Sequence, residues 1–188
     1  MADCADKALA LQELADVMAR DDPAPKLRQA AIQMVFGAGS PDAALFFVGE
    51  APGKKEDLTG QPFVGASGKL LDQMLSSIGL ERSEVYVTSI VKYRPPANRD
   101  PTAMEIAVHV PYLKRQIEII SPKVVVFLGR YAMKVFLPEL IIGEAHGVPV
   151  VRDGQTYLPL YHPAAALYNG KLRQTLMDDF AKIPALIR

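Results

Sequence analysis

Ala44-Leu45-Phe46-Phe47-Val48 is an apolar run without polar alternation, closed by Gly49. A strand with one wet face alternates apolar and polar residues; a run this short, apolar on both faces, reads as a strand covered on both sides. Three further short runs read the same way: Val85-Tyr86-Val87-Thr88, Val124-Val125-Val126-Phe127-Leu128 and Thr156-Tyr157-Leu158-Pro159-Leu160-Tyr161, the last weakened by its proline. Between and after them the apolar period changes to that of a helix, over 67–78, 102–120, 129–136 and 170–187. Strands alternating with helices predict parallel βαβ units. The expected fold class is α/β, a three-layer α/β/α sandwich around a central, mainly parallel four-stranded sheet. Leu9, Leu11, Leu14, Val17 and Met18 mark one face of an earlier helix, interrupted by Asp21-Asp22-Pro23 and Pro25. Residues 1–35 are therefore expected to form an N-terminal helical appendage.

The chain has 188 residues, of which 49% are apolar, enough for one well-buried core, so a single domain over 1–188 is expected. The formal net charge is zero, so attraction to a polyanion has to come from a local basic patch. Cys4 is the only cysteine, which excludes an intrachain disulfide and a multi-cysteine metal site and fits a reducing compartment. The first twenty residues carry acids where a signal peptide carries its basic start, and no apolar stretch approaches the roughly 20 residues of a membrane span. A soluble, cytoplasmic, monomeric protein is the expectation.

In an open parallel sheet, ligands bind beyond the carboxyl ends of the strands, so the loops after each run carry the chemistry. After the first comes Gly49-Glu50-Ala51-Pro52-Gly53, which presents backbone N–H groups and one carboxylate; the same residues also suit a plain tight turn. Gly60-Gln61-Pro62-Phe63-Val64-Gly65-Ala66-Ser67-Gly68 runs into a helix start able to bind an anion, and Phe63 reads equally as a core residue and as a face for a planar ligand. Lys92-Tyr93-Arg94-Pro95-Pro96-Ala97-Asn98-Arg99 is basic, without an acid, and held extended by its prolines; it suits phosphate contact or a solvated loop. His162 follows the fourth run, where an imidazole can either donate to developing negative charge or cap the helix behind it. A dinucleotide site is disfavoured because Gly49–Gly53 lacks the G-x-G-x-x-G spacing.

Taken in order, GEAPGKKEDLTGQPFVGASGKLL, VYVTSIVKYRPPANRDPTAMEIAVHVPYLKRQI, PKVVVFLG and YHPAAAL resemble the successive signatures of family 4 uracil-DNA glycosylases, from about Phe36 to Leu167. The resemblance implies an enzyme that flips a deaminated base out of DNA and hydrolyses its N-glycosidic bond to start base-excision repair. It implies Glu50 and His162 as catalytic residues, Glu50 for the attacking water and His162 for the departing base. Ala51, Gly53, Phe63 and Ser89 would then bind the base, Phe63 by stacking. Ser67, Lys92, Arg94 and Arg99 would contact DNA, and Leu167 would wedge into the gap left by the flipped nucleotide. The implied partner is DNA containing a deaminated base, with no membrane, no metal and no cofactor needed for the hydrolysis.

The chain departs from that family twice. Family members usually hold a four-iron cluster on four cysteines, whereas the two later places are Tyr93 and His109 here and residues 20–28 hold no cysteine, so the family's mode of cluster binding is excluded. Ser89 stands where the family commonly has an asparagine that reads uracil with two prongs; a single hydroxyl cannot do that. Two alternatives therefore stay open: a glycosylase for another deaminated base, hypoxanthine or xanthine, and a non-catalytic DNA-binding module on the same fold.

Overall fold

A computed structural model describes residues 4–188; the first three residues of the expected N-terminal appendage lie outside them. The central sheet has six strands in the order β1-β3-β2-β4-β6-β5. These are β1 (Ala38–Gly39), β2 (Leu45–Gly49), β3 (Tyr86–Ser89), β4 (Val124–Leu128), β5 (Val150–Arg152) and β6 (Gln155–Leu160). β3, β2, β4 and β6 are parallel neighbours and correspond to the four apolar runs. The expected count of four is corrected by two short strands, β1 and β5, each antiparallel at an edge. Both are too short for an apolar period, although β5 left one local mark. Asp153-Gly154 joins β5 to β6 with φ of 51° and 79°, the left-handed pair that a two-residue hairpin turn requires.

The side-chain period of two divides each central strand between two cores. Leu45, Phe47, Val87, Val124, Val126, Leu158 and Leu160 face one way. They meet α4 (Ala66–Ser77) through Leu71 and Leu75, α9 (Gly170–Phe180) through Leu176 and Phe180, and α10 (Ile183–Ile187) through Ile183. Phe46, Val48, Tyr86, Val125 and Phe127 face the other way. There they meet Leu113 and Ile120 of α5 (Ala103–Ile120), Met133 of α6 (Arg130–Phe136), and Leu11 and Met18 of α1 (Cys4–Asp21). Helices thus cover both faces, the α/β/α sandwich expected. α1 packs along α5, and Leu27 of α2 (Pro25–Ala30) enters the same core. Among the described residues no helix is long and apolar enough to cross a membrane.

Local chemistry sets the element ends. α5 opens with a capping box: the Thr102 hydroxyl accepts from Glu105 N at 3.2 Å, and the Glu105 carboxylate accepts from Thr102 N at 2.8 Å. It closes at Ser121, in left-handed conformation, followed by Pro122. The single helix expected over 170–187 is two, because Pro184 has no N–H to continue the ladder and starts α10 instead. Pro159 is tolerated in β6 because β5 pairs only with residues 155–157 and ends before it.

Leu113→Ala, at the centre of one core, is expected to cost about 2–5 kcal/mol. Val151→Ala, on the β5 edge with Val151 71% exposed, should change stability by less than about 0.5 kcal/mol. Urea denaturation of both variants checks the layering; similar losses in the two would contradict it.

Candidate active site

The four parallel strands end at one rim, and the segments that follow β2, β3 and β6 enclose a cleft of ≈ 350 Å³. Phe63 forms one wall. Its φ of 53° is in the left-handed region, and its ring lies on the backbone of Gly49 at the end of β2. A Cβ at Gly49 would stand 2.5 Å from Phe63 Cζ, so only glycine lets the ring approach. The first turn of α4 is equally close, since a Cβ at Gly68 would stand 1.7 Å from the Phe63 carbonyl oxygen. Glu56, on α3 (Lys54–Thr59), holds this loop: its buried carboxylate accepts from Val64 N and Gly65 N, each at 2.8 Å. Arg82 donates to the Pro62 carbonyl oxygen at 2.6 Å.

His162 faces Phe63, with ring centroids 5.8 Å apart. It is the N-cap of α8 (Pro163–Ala166), and its Nδ1 accepts from Ala164 N at 3.1 Å. An accepting Nδ1 carries no proton, so in the neutral ring the hydrogen sits on Nε2. Burial lowers the His162 pKa to about 4, which keeps the ring neutral at physiological pH. The ring that caps α8 through Nδ1 also lines the cleft. Gly129, at φ 96°, gives the ring room, as a Cβ there would stand 3.0 Å from His162 Cβ.

Glu50, half-buried at the same rim, has its pKa raised to about 7. Burial is the main cause; the like charge of Asp100 adds to it and Arg130 opposes it. A carboxylate that can release its proton near neutrality thus shares a cleft with a neutral N–H donor and a buried aromatic face.

The family model of the Uracil DNA glycosylase superfamily matches residues 36–183. The chain belongs to that superfamily. It is 49% identical over 173 residues to the type-4 uracil-DNA glycosylase of Sulfurisphaera tokodaii, covering 86% of this chain and 78% of that one. It is 47% identical over 163 residues to the type-4 uracil-DNA glycosylase of Archaeoglobus fulgidus, covering 81% of each. The type-5 uracil-DNA glycosylase of Pyrobaculum aerophilum is 33% identical over 167 residues, covering 78% of this chain and 74% of that one.

Of the residues singled out from the sequence, Glu50, Ala51, Gly53, Phe63, Ser67, Ser89, Arg99 and His162 all line the cleft of this superfamily member. Lys92 does not, and its expected phosphate contact is corrected. It is fully buried, and Nζ donates to Thr88 Oγ1 at 2.6 Å, the Ser89 carbonyl oxygen at 2.8 Å and Gln116 Oε1 at 2.6 Å. All three donors are used in tying β3 to α5, and burial drives its pKa well below the usual lysine value. Arg94 lies outside the cleft, where Nε donates to Asn98 Oδ1 at 2.7 Å and the guanidinium stands 3.9 Å from Asp57. Leu167 packs half-buried against the core on the α4 face, beside Tyr168, which is 96% exposed. Sequence reasoning missed Glu56 and Asp100. Glu56 carried no signal beyond an acid in a first helical turn; Asp100 is the acid immediately after the basic loop.

Tyr93 and His109 meet edge to face, with centroids 6.2 Å apart. His109 Nδ1 is bonded to the Glu105 carbonyl oxygen at 2.7 Å, and its buried Nε2 has no hydrogen-bond partner. A four-iron cluster needs four thiolates or a close substitute. The one cysteine, Cys4, is exposed at the start of α1, and among the described residues no three His, Cys, Asp or Glu side chains gather to hold a metal ion. The residues present do not fit that group.

Glu56→Ala leaves two backbone donors unpaired at the Phe63 loop and is expected to cost about 2–5 kcal/mol. Chemical denaturation measures the loss, and amide exchange should accelerate at Val64 and Gly65; unchanged exchange there would refute the anchoring role.

Proposed function

We propose that this chain, acting as one domain over 1–188 and as a cytoplasmic monomer, removes uracil from DNA by hydrolysing the N-glycosidic bond. The observation that carries the reading is the pairing of Glu50 with a neutral His162 across a cleft walled by Phe63. The names of its relatives support the same reaction.

A base inside a duplex is out of reach, so the nucleotide is extruded and its base stacks on Phe63. As the C1′–N1 bond breaks, its electron pair passes to the base and the sugar becomes oxocarbenium-like. His162 Nε2–H donates to the base oxygen where negative charge collects, and a neutral donor fixed by its own cap needs no reorganisation. Ionised Glu50 orients the water that attacks C1′, accepts its proton, and sets a negative charge against the cationic sugar. Ser67, in the first turn of α4, is available to the flanking phosphates; Arg99 and Arg94 can join it only by leaving Glu105 and Asp57. Leu167 reaches the base stack only if its turn leaves the core. Ser89, 3% exposed in the cleft, offers one hydroxyl to the base edge. That favours a second reading, in which the base removed is another deaminated base, hypoxanthine or xanthine.

Alkaline cleavage of a labelled oligonucleotide containing one uracil tests the reading. Scission by the wild type should fall roughly 10²–10³-fold in His162→Ala and roughly 10²–10⁴-fold in Glu50→Gln, and rise in Ser89→Asn. Scission only of hypoxanthine or xanthine substrates would favour the second reading; salt-dependent binding without scission of any substrate would identify a binding module. The active form of Glu50 is deprotonated, so the rate should climb with pH through about 7 and level off above it. Protonation of His162 enters only near pH 4. A profile flat from about pH 5 to about pH 9, roughly two units either side of neutrality, would remove Glu50 as the ionising group.

A further inference from the structure

Asp100 lies in the loop after β3, is exposed, and lines the cleft shared by Glu50 and His162. An exposed aspartate is ordinarily mobile, yet this one is held at both ends. Its carboxylate accepts a hydrogen bond from the hydroxyl of Tyr131, in the first turn of α6. Its carbonyl oxygen accepts from Arg99 at 2.9 Å, while the same guanidinium clamps Glu105 at 2.9 and 2.7 Å. Tyr131 is fixed in turn: its oxygen accepts from Arg130 at 3.1 Å, and that guanidinium lies 4.8 Å from the centre of its ring. The bond joins the loops that follow two different strands and carries a negative charge to the cleft's rim.

We propose that Asp100, clamped by Tyr131 at the rim of the cleft it shares with Glu50, is a positioning residue whose negative charge opposes that of Glu50 and, on top of burial, tunes when Glu50 becomes the working base. The inference rests on the reading of Glu50 as the carboxylate that activates water. Around Glu50 stand Asp100 and Arg99 on the loop after β3, Arg130 on α6, Glu56 on α3 and neutral His162 at the end of β6. The Glu56 carboxylate is spent on two backbone donors and Arg99 on Glu105, which leaves Asp100 and Arg130 as opposing charges that act on Glu50. Like charges at one site raise the pKa of the group that yields, and an opposite charge lowers it. Tyr131 binds both members of this opposing pair, so one hydroxyl ties the two charges together.

The test compares single-turnover rate against pH for the wild type, Asp100→Asn, Arg130→Gln and Tyr131→Phe. In parallel, the Glu50 carboxyl carbon is titrated by NMR in DNA-free protein, assigned with Glu50→Gln. Asparagine can still accept from Tyr131, so Asp100→Asn keeps the clamp and removes the charge. It is expected to move the acid limb and the NMR midpoint down by about 1 unit, which raises the rate on that limb roughly tenfold. Arg130→Gln should move both up. Tyr131→Phe, which keeps both charges but frees them, should move the midpoint less than Asp100→Asn does. A structural staple predicts the reverse: Tyr131→Phe slows turnover, and Asp100→Asn leaves the limb and the midpoint within roughly 0.2 units of wild type. That result overturns the proposal. If no variant releases base, the reading of the reaction fails, while the DNA-free titration still decides the role of Asp100.

Discussion

Every functional group in this protein is held by backbone that the sheet has already immobilised. β2 and β4 are apolar on both faces, so their N–H and C=O groups have no water to turn to and are satisfied within the ladder. Parallel pairing in a common register brings Gly49, Ser89, Leu128 and Leu160 to one rim. The loops that leave that rim begin from fixed positions, and so Glu50, Phe63, Ser89 and His162 can share one cleft although more than a hundred residues separate the first from the last.

Removal from water then sets the charge state of the site. Burial raises Glu50 and lowers His162, so both incline to their neutral forms near physiological pH. The same cause lowers the pKa of Lys92, whose Nζ is spent on Thr88, Ser89 and Gln116 and is not free to reach DNA. With no net charge on the chain, electrostatics here is a matter of local placement: His162 as a donor without charge, and Asp100 and Arg130 as opposing neighbours of Glu50.

Packing and one hydrogen bond hold the place where Tyr93 and His109 meet. The imidazole is fixed by the Glu105 carbonyl, the phenol covers it edge-on, and α1 and α2 close over the same core. The arrangement joins the loop after β3 to α5, as Lys92 and Gln116 do about two turns further along that helix. Two adjacent residues of one loop, Lys92 and Tyr93, therefore anchor the segment that delivers Ser89 and Asp100 to the cleft.

The sequence by itself determined the sandwich, because four short apolar runs with helical period between them leave few other ways to bury both faces of a sheet. It also determined the principal cleft residues, since chemistry in such a sheet gathers at strand ends and the glycines around Glu50 and Phe63 mark where backbone and ring approach closely. Tertiary structure alone decided the rest. The edge strands β1 and β5 are too short to show a period and exist through pairing with distant partners. Lys92 and Arg94 read alike as loop cations, yet one points into the core toward Gln116 and the other toward Asp57; local pattern carries no information about direction once a chain leaves its strand. Glu56 and Asp100 gain their roles from Val64 N–H, Gly65 N–H and the Tyr131 hydroxyl, partners that only folding brings to them.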